Sequence, residues 1–504
     1  MTTETKAVPA WGCVMRSKVR VGTVFSAAFA FFLGGCVSLA PHYERPAAPI
    51  SSQFPITGLA VLDPAVVAPV STGPAATIEW QNFFGDPKLK QLLDAALRNN
   101  RDLRIAVLNI EQARAQFQIK RADQFPTVNA SLSGLRQPNP NGNGSISSVY
   151  TAGLGVTAYE LDFFGRVASL KDTALSQYLA TEEARKTAQI SLIATVANTY
   201  LSLLADDELL VITQQTLSTR EDSLRLGKLR FSSGVTSELD YRLAESQVEV
   251  ARASLAQLVR QRALDENALT LLIGQPITSA IDITPLPGKG LADLPVMPDV
   301  PAGLPSELLA RRPDIRQAEQ QLLAANANIG AARAAFYPRI SLTTSVGTAS
   351  SRLAGLFQGG AWGWTLAPQL VLPIFDTGRN AAGLDSAKVM QSIAVAQYEK
   401  SIQTAFREVA DALAGRATLG EQLRAQQAQA SAEAVRFRLS DIRYQNGITS
   451  QLDLLDAQRS LFAARQMVVQ TRLAQLQSQV TLYKALGGGW KEAEPTVSSA
   501  ITTP

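Results

Sequence analysis

Beyond Cys36 the chain has no cysteine, and its 504 residues include a single histidine, His42. A disulfide framework, an iron–sulfur cluster and a thiolate zinc site are therefore excluded, as is a site of several histidines. A surplus of charge is missing as well. The formal net charge is +4, but Lys6, Arg16, Lys18 and Arg20 lie in the first 35 residues, against Glu4. The remainder carries 43 basic and 42 acidic side chains, a balance that offers nucleic acid no electrostatic footprint. Motifs of surface enzymes are lacking: there is no GxSxG, no phosphate loop and no metal-ligand cluster. No cofactor and no catalytic or metal residue is expected. Acid pairs such as Asp206-Asp207 read as solvated charge on a helix surface.

Long apolar runs are scarce too. Val21 to Leu33 is apolar, but short of the roughly 20 residues of a membrane-spanning helix. With the basic n-region Arg16, Lys18 and Arg20 before it and Leu33-Gly34-Gly35-Cys36 after it, residues 1–35 read as a signal peptide. Its end resembles a bacterial lipobox, in which Cys36 is acylated and becomes the mature N-terminus; an ordinary signal peptide ending near a cysteine is the alternative. Val37 is not the Asp of the usual inner-membrane retention signal. The residues before Met15 do not look like a signal peptide, so Met15 is a candidate start that would leave Cys13 outside the product.

What is present is organised by two periods. Residues 36–76, rich in Pro, Ala, Val and Ser, read as an extended tether. Spacing predicts a helix from about Pro87 to Phe125, stopped by Pro126. The period then becomes two. Val128, Ala130 and Leu132 alternate with polar residues, and after a loop at Gln137 to Ser148 the residues Tyr150, Ala152, Leu154, Val156 and Ala158 share a face. Helices are expected again over about Val167 to Leu229 and Glu238 to Ile273. Continuous helix over the first would reach roughly 90 Å.

The pattern then repeats. Asp102-Leu103-Arg104 recurs as Asp314-Ile315-Arg316, Phe125-Pro126 as Tyr337-Pro338, and Gly165-Arg166 as Gly378-Arg379. The run from Arg230 to Asp240 recurs as Arg443 to Asp453, and the offset is 212 to 213 residues throughout. The expected organisation is residues 77–274 as a first unit, 275–303 as a proline-rich connector, 304–489 as a second unit and 490–504 as a tail. Strands of the second unit put Ile340, Leu342, Thr344 and Val346 on one face, then Trp362, Trp364, Leu366, Leu370 and Leu372.

Each strand pairs an apolar face with a small polar one, and Tyr150, Trp362 and Trp364 suit a membrane interface. A soluble sandwich is the alternative, but four strands in two distant pairs, among helices too polar to cover a broad sheet, argue against it. Four strands cannot close a barrel, and open edges are not tolerated in lipid. Two copies would pool eight strands, filled by side chains; three would pool twelve and leave a water path. The helices carry a narrow coiled-coil seam: Leu455, Phe462, Val469, Leu476 and Tyr483 at spacing seven, with Leu473 and Val480 between, and Ile190, Ile193, Ala197, Tyr200 and Leu204 at spacings of three and four.

Three segments carry a resemblance: Trp80 to Ala106, Leu304 to Pro338, and Tyr483 to Trp490 (YKALGGGW). With the tandem repeat, the chain resembles the TolC-type outer-membrane factors, in their NodT-like lipoprotein branch. The resemblance implies a mixed α and β membrane protein: a homotrimer with a 12-stranded transmembrane barrel, a periplasmic α-barrel of twelve helices and a mixed girdle. It implies outer-membrane lipid around the barrel, a periplasmic adaptor protein at the tunnel and an inner-membrane pump of RND type behind it. Drugs, detergents, metals or secreted proteins are the family's substrates. A type I secretion duct and a lipid-anchored coiled-coil structural or adaptor protein are rival readings. Adaptors carry one helical hairpin and a lipoyl-like domain, against two hairpins and four strands here.

The same resemblance assigns the helical tips. Glycines 234 and 447 turn the hairpins, and Arg230, Phe231, Gly234, Arg443 and Gly447 would face the adaptor. By matching position, Leu452, Asp453, Asp456 and Arg459 are gate residues, and Asp240 and Tyr444 link neighbouring helices in the closed state. A ring of carboxylates in a narrow tunnel repels itself unless cations compensate, and it selects for cations. Ser237-x-x-Asp240 and Ser450-x-x-Asp453 equally suit helix-start capping, and Asp456–Arg459 a solvated pair. The first tip has Leu243 and Ser246 where the second has Asp456 and Arg459, so the second should carry most of a gate. The lipobox is directly testable: wild-type cells fed labelled palmitate should yield a labelled chain, and Cys36→Ala should abolish the label.

Overall fold

A computed structural model of the chain describes residues 38–55, 78–138, 145–277, 290–300 and 305–490. Cys13, Cys36 and the signal segment lie outside these residues. The chain divides into two compact units, one of residues 1–41, 123–169 and 329–382, the other of 42–122, 170–328 and 383–504.

The first unit is built on one antiparallel sheet in the order β1-β2-β3-β4. Its strands are β1 (Val128–Pro138), β2 (Ile146–Glu160), β3 (Arg339–Ser350) and β4 (Trp362–Val371). The two distant pairs thus meet through β2 and β3. Register makes the alternation of the sequence a property of the whole sheet. Ala130 lies opposite Leu154, Leu154 opposite Val346, and Val346 opposite Trp364. One face therefore collects Val128, Leu132, Leu154, Val346, Trp362, Trp364 and Leu366, all exposed. The other carries hydroxyls that bond across strands, Ser133 to Thr151 and Ser345 to Thr365, each at 2.7 Å. Ala158 departs from the expected face. It sits in a bulge between Val156 and Tyr159 with φ of 51°. The extra residue brings Tyr159 opposite Leu342, and its hydroxyl donates to the Gln124 carbonyl at 2.9 Å.

The second unit is helical. The expected helix over Pro87 to Phe125 is interrupted. It is preceded by the short α1 (Trp80–Phe83) and splits into α2 (Pro87–Asn99) and α3 (Arg101–Ala122). Asn100 between them is extended. Its side chain accepts from the Leu103 amide at 2.9 Å and donates to the Leu272 carbonyl at 2.8 Å. A helix-start residue placed inside an unbroken apolar period ends one helix and begins another. The long helices follow the sequence closely: α4 (Arg166–Ser232) and α5 (Glu238–Ile273), then α6 (Pro305–Arg311), α7 (Pro313–Ala334), α8 (Arg379–Gln445) and α9 (Gln451–Ala485). α4 is long and apolar enough to cross a membrane by composition, but more than half of its most apolar window is buried.

That burial is the core of the second unit. Ile193, Val196, Ala197, Tyr200 and Leu203 of α4 join Leu92, Leu93, Leu269, Ile273, Tyr398, Val409, Val469, Val480 and Tyr483 in one apolar cluster. Within the seam of α9, Leu455, Val469 and Tyr483 are buried, and Leu476 packs against the cluster. The YKALGGGW segment is a structural anchor. The Tyr483 ring stacks on Phe83 at 4.0 Å between centroids, and its hydroxyl donates to the Ile78 carbonyl at 2.6 Å. Lys186 lies over the Trp490 ring, 4.4 Å from its centroid. The described part of the tether is extended but fastened. Arg45 makes a two-pronged bond to Glu319 at 2.7 and 2.9 Å, and Phe54 stacks on Phe406 at 5.1 Å.

The acid pair on α4 is not the solvated charge expected. Asp206 is buried and its Oδ2 has no partner; Asp265 of α5 is the carboxyl that acts on it. Burial first, then the Asp265 carboxyl, pushes Asp206 up to about 7. Asp207 is held instead by Arg262 at 2.6 Å. The folded state thus holds a proton on Asp206 that the unfolded chain, at an ordinary 3.8, gives up. Stability from this group is complete below about pH 4 and is lost as pH rises towards 7. Asp206→Asn keeps a donor for Asp265 and cannot ionise. Denaturant midpoints of the wild type should fall between pH 5 and pH 8 by more than those of the variant; parallel falls would sink the assignment.

Candidate functional site

The tips of the two hairpins are built alike. At the first, the Gly234 amide donates to Phe231 O at 3.0 Å and the Val235 amide to Arg230 O at 2.9 Å. At the second, Gly447 donates to Tyr444 O and Ile448 to Arg443 O at the same distances. This is the Schellman pattern, which needs a left-handed residue. Both glycines have φ of +73°, and a Cβ at either would meet nothing within 4 Å. Backbone conformation, and not lack of space, demands glycine there.

Beyond each turn a serine starts the returning helix. Ser237 Oγ accepts from the Asp240 amide and Ser450 Oγ from the Asp453 amide, each at 3.2 Å. The carboxylates answer. Asp240 takes the hydroxyls of Ser237 at 2.8 Å and Thr236 at 3.1 Å. Asp453 takes those of Ser450 at 2.8 Å and Thr449 at 2.6 Å, with the Ser450 amide at 3.2 Å completing a capping box. The hydroxyls hold both carboxyls below the usual range. Asp453 is thereby turned back onto its own helix start.

Asp456 is placed differently. It bridges two arginines, Arg459 one turn along α9 at 2.7 Å and Arg436 of α8. Arg436 also binds Glu433 at 3.1 Å. The Arg436 guanidinium, then Arg459, keeps the Asp456 carboxyl below its ordinary range, so the bridge persists until the solution is strongly acidic. Leu452 is exposed beside it. Asp240 and Tyr444 are brought together through Gln451, which sequence reading missed. The Tyr444 hydroxyl donates to Gln451 Oε1 at 3.4 Å, and Gln451 Nε2 donates to the Asp240 carbonyl at 3.3 Å. The Arg230 guanidinium lies 4.7 Å from the Tyr444 ring centroid, and Phe231 stacks on Tyr241 at 5.6 Å. Arg443 occupies the last turn of α8. Arg436 was legible in principle: it stands 11 residues before Gly447 and Asp456 stands 9 after, so a hairpin folded at that glycine sets them level.

Comparison with known proteins places this geometry. The family model described as outer membrane efflux protein matches the chain twice, over residues 92–275 and 304–488. The antibiotic efflux pump outer membrane protein ArpC of Pseudomonas putida is 48% identical over 485 residues, covering 94% of this chain and 97% of ArpC. The toluene efflux pump outer membrane protein TtgC of Pseudomonas putida is 48% identical with the same coverage. Among solved structures, the open state of the Neisseria gonorrhoeae MtrE outer membrane channel superposes with a TM-score of 0.79 at 41% identity, covering 90% of this chain and 98% of MtrE. These relatives are named as outer membrane proteins of efflux pumps, and MtrE as an outer membrane channel. The chain belongs to the outer membrane efflux protein family and is an outer-membrane channel for efflux.

Proposed function

We propose that the chain works as a homotrimer, the exit duct of a tripartite pump, joined through a periplasmic adaptor to an inner-membrane pump of RND type and tethered by lipid on Cys36. The observation that carries this reading is the sheet. Its strands of 11, 15, 12 and 10 residues match the roughly 9–11 residues that cross a bilayer as tilted strand. Its apolar face is exposed and its other face is lined with hydroxyls. Among the described residues its outer strands, β1 and β4, each have one partner. Three copies joined edge to edge supply twelve strands, with lipid outside and water inside. Relatives named for toluene and for antibiotics support apolar and amphipathic small molecules as cargo.

Gating is assigned to the second tip. Asp456 joins α8 to α9 through Arg436, and such an exposed pair contributes at most about 1 kcal/mol. A contact of that size suits a constriction that must open without unfolding. Leu452 and Arg459 complete the constriction in this reading, and Arg230, Phe231, Gly234, Arg443 and Gly447 form the adaptor-facing rim.

Two measurements test the proposal. The mature chain has no cysteine beyond position 36, so pairs placed one in residues 129–133 of β1 and one in 363–369 of β4 report assembly cleanly. Oxidation should give trimers resistant to denaturant in some registers; only monomers across the panel would remove the pooled barrel. In planar bilayers, Asp456→Ala should raise single-channel conductance severalfold over wild type. Unchanged conductance in a properly assembled variant would take Asp456 out of the gate and leave the barrel untouched.

A further inference from the structure

We propose that a cavity between the two helical hairpins binds a small oxyanion, held by Arg220 of α4 and Arg465 of α9. The cavity has a volume of about 210 Å³, and its walls also include Thr216, Phe462, Gln458 and Ala434. Among the described residues that line it there is no carboxylate. Arg220 is 3% exposed. One guanidinium nitrogen donates to the Gln247 carbonyl at 2.9 Å, but the buried Nε has no acceptor. The guanidinium also lies over the Phe462 ring, 5.5 Å from its centroid. A buried cation without a counter-charge is costly, because a lone carbonyl does not replace its hydration. Gln458 Oε1, also buried and without a donor, can take a hydrogen bond from water or from the hydroxyl of hydrogen phosphate.

The internal repeat shows what is missing. At the offset of 213 residues, Arg465 corresponds to Arg252, and Ala434 corresponds to Glu221. In the first hairpin Arg252 binds Glu221 at 2.9 Å and Glu249 at 2.7 Å. In the second, alanine has replaced the cross-hairpin acid, and Ala434 lines the cavity instead. The nearby carboxylates are taken: Glu221 by Arg252 and Glu433 by Arg436. A tetrahedral or carboxylate oxyanion of modest size fits the space and supplies the charge to both guanidinium groups. Arg220 stands 14 residues before Gly234, roughly 20 Å along α4 from the turn, so the site lies away from the turns themselves, while its wall residues Phe437 and Gln458 are chain neighbours of Arg436 and Arg459. Bridging α4 to α9, the anion ties one hairpin to the other.

The test uses the purified full-length protein in detergent, with phosphate compared against chloride at equal ionic strength. Phosphate at saturating concentration should raise the thermal midpoint of the wild type by roughly 2–4 °C. Selenate soaked into crystals should give an anomalous peak between Arg220 and Arg465. Ala434→Glu supplies an internal carboxylate, so it should abolish both signals while keeping or raising the midpoint in chloride. Arg465→Gln, at an exposed position, should abolish them without that gain. No phosphate effect in the wild type, an undiminished effect in both variants, or a carboxylate from a second copy seated on Arg220 would each overturn the proposal.

Discussion

Hydrocarbon offers no partner for a backbone N–H or C=O, and the four-stranded sheet has two edges. Much of this chain's design answers that constraint. An apolar face of Val128, Leu154, Val346 and Trp364 is stable against lipid only if the edges of β1 and β4 are paired, and among the described residues of one chain no further strand pairs them. Completion by further copies follows from the same physics that makes the face apolar. The hydroxyl-bonded inner face, Ser133 with Thr151 and Ser345 with Thr365, stays compatible with water. The bulge at Ala158 then lets Tyr159 reach the Gln124 carbonyl where strand gives way to helix.

The helical unit separates strong interactions from weak ones. Its apolar cluster buries large side chains such as Phe83, Leu92 and Ile193 almost completely, each contributing about 1.5–3 kcal/mol. The tip residues hold one another by exposed ion pairs, cation–π contacts and single long hydrogen bonds, each of the order of 1 kcal/mol or less. Rearrangement at the tips therefore costs little beside disruption of the core. Glycines 234 and 447 let the two hairpins turn in the same way, so the difference between the tips lies in side-chain charge. Asp456 and Arg459 occur only at the second.

Much of this was legible in the sequence, for identifiable reasons. Period-two alternation and a period near 3.6 follow from covalent geometry, so the existence and order of the strands and long helices could be read, while strand ends such as Pro138, Ile146 and Ser350 lay several residues beyond the alternating runs. The repeat, the turn glycines and the serine caps are local signals. Asn100 was missed because its partner, the Leu272 carbonyl, is distant in sequence. Asp206 was taken for surface charge because nothing local marks the face that α5 covers. At the candidate gate, Asp456–Arg459 is visible at a spacing of three, but Arg436 and Gln451 are recruited from across a turn.

By itself, then, the sequence determined which segments are strands and helices, where they turn, and that one face of each strand is apolar, because these depend on neighbours in the chain. Only the tertiary structure decided that the two strand pairs join through β2 and β3, that Asp453 caps its own helix while Asp456 bridges two, and that Arg220 is buried without an acid. Those outcomes depend on which side chains meet across elements far apart in sequence, and no local period encodes that.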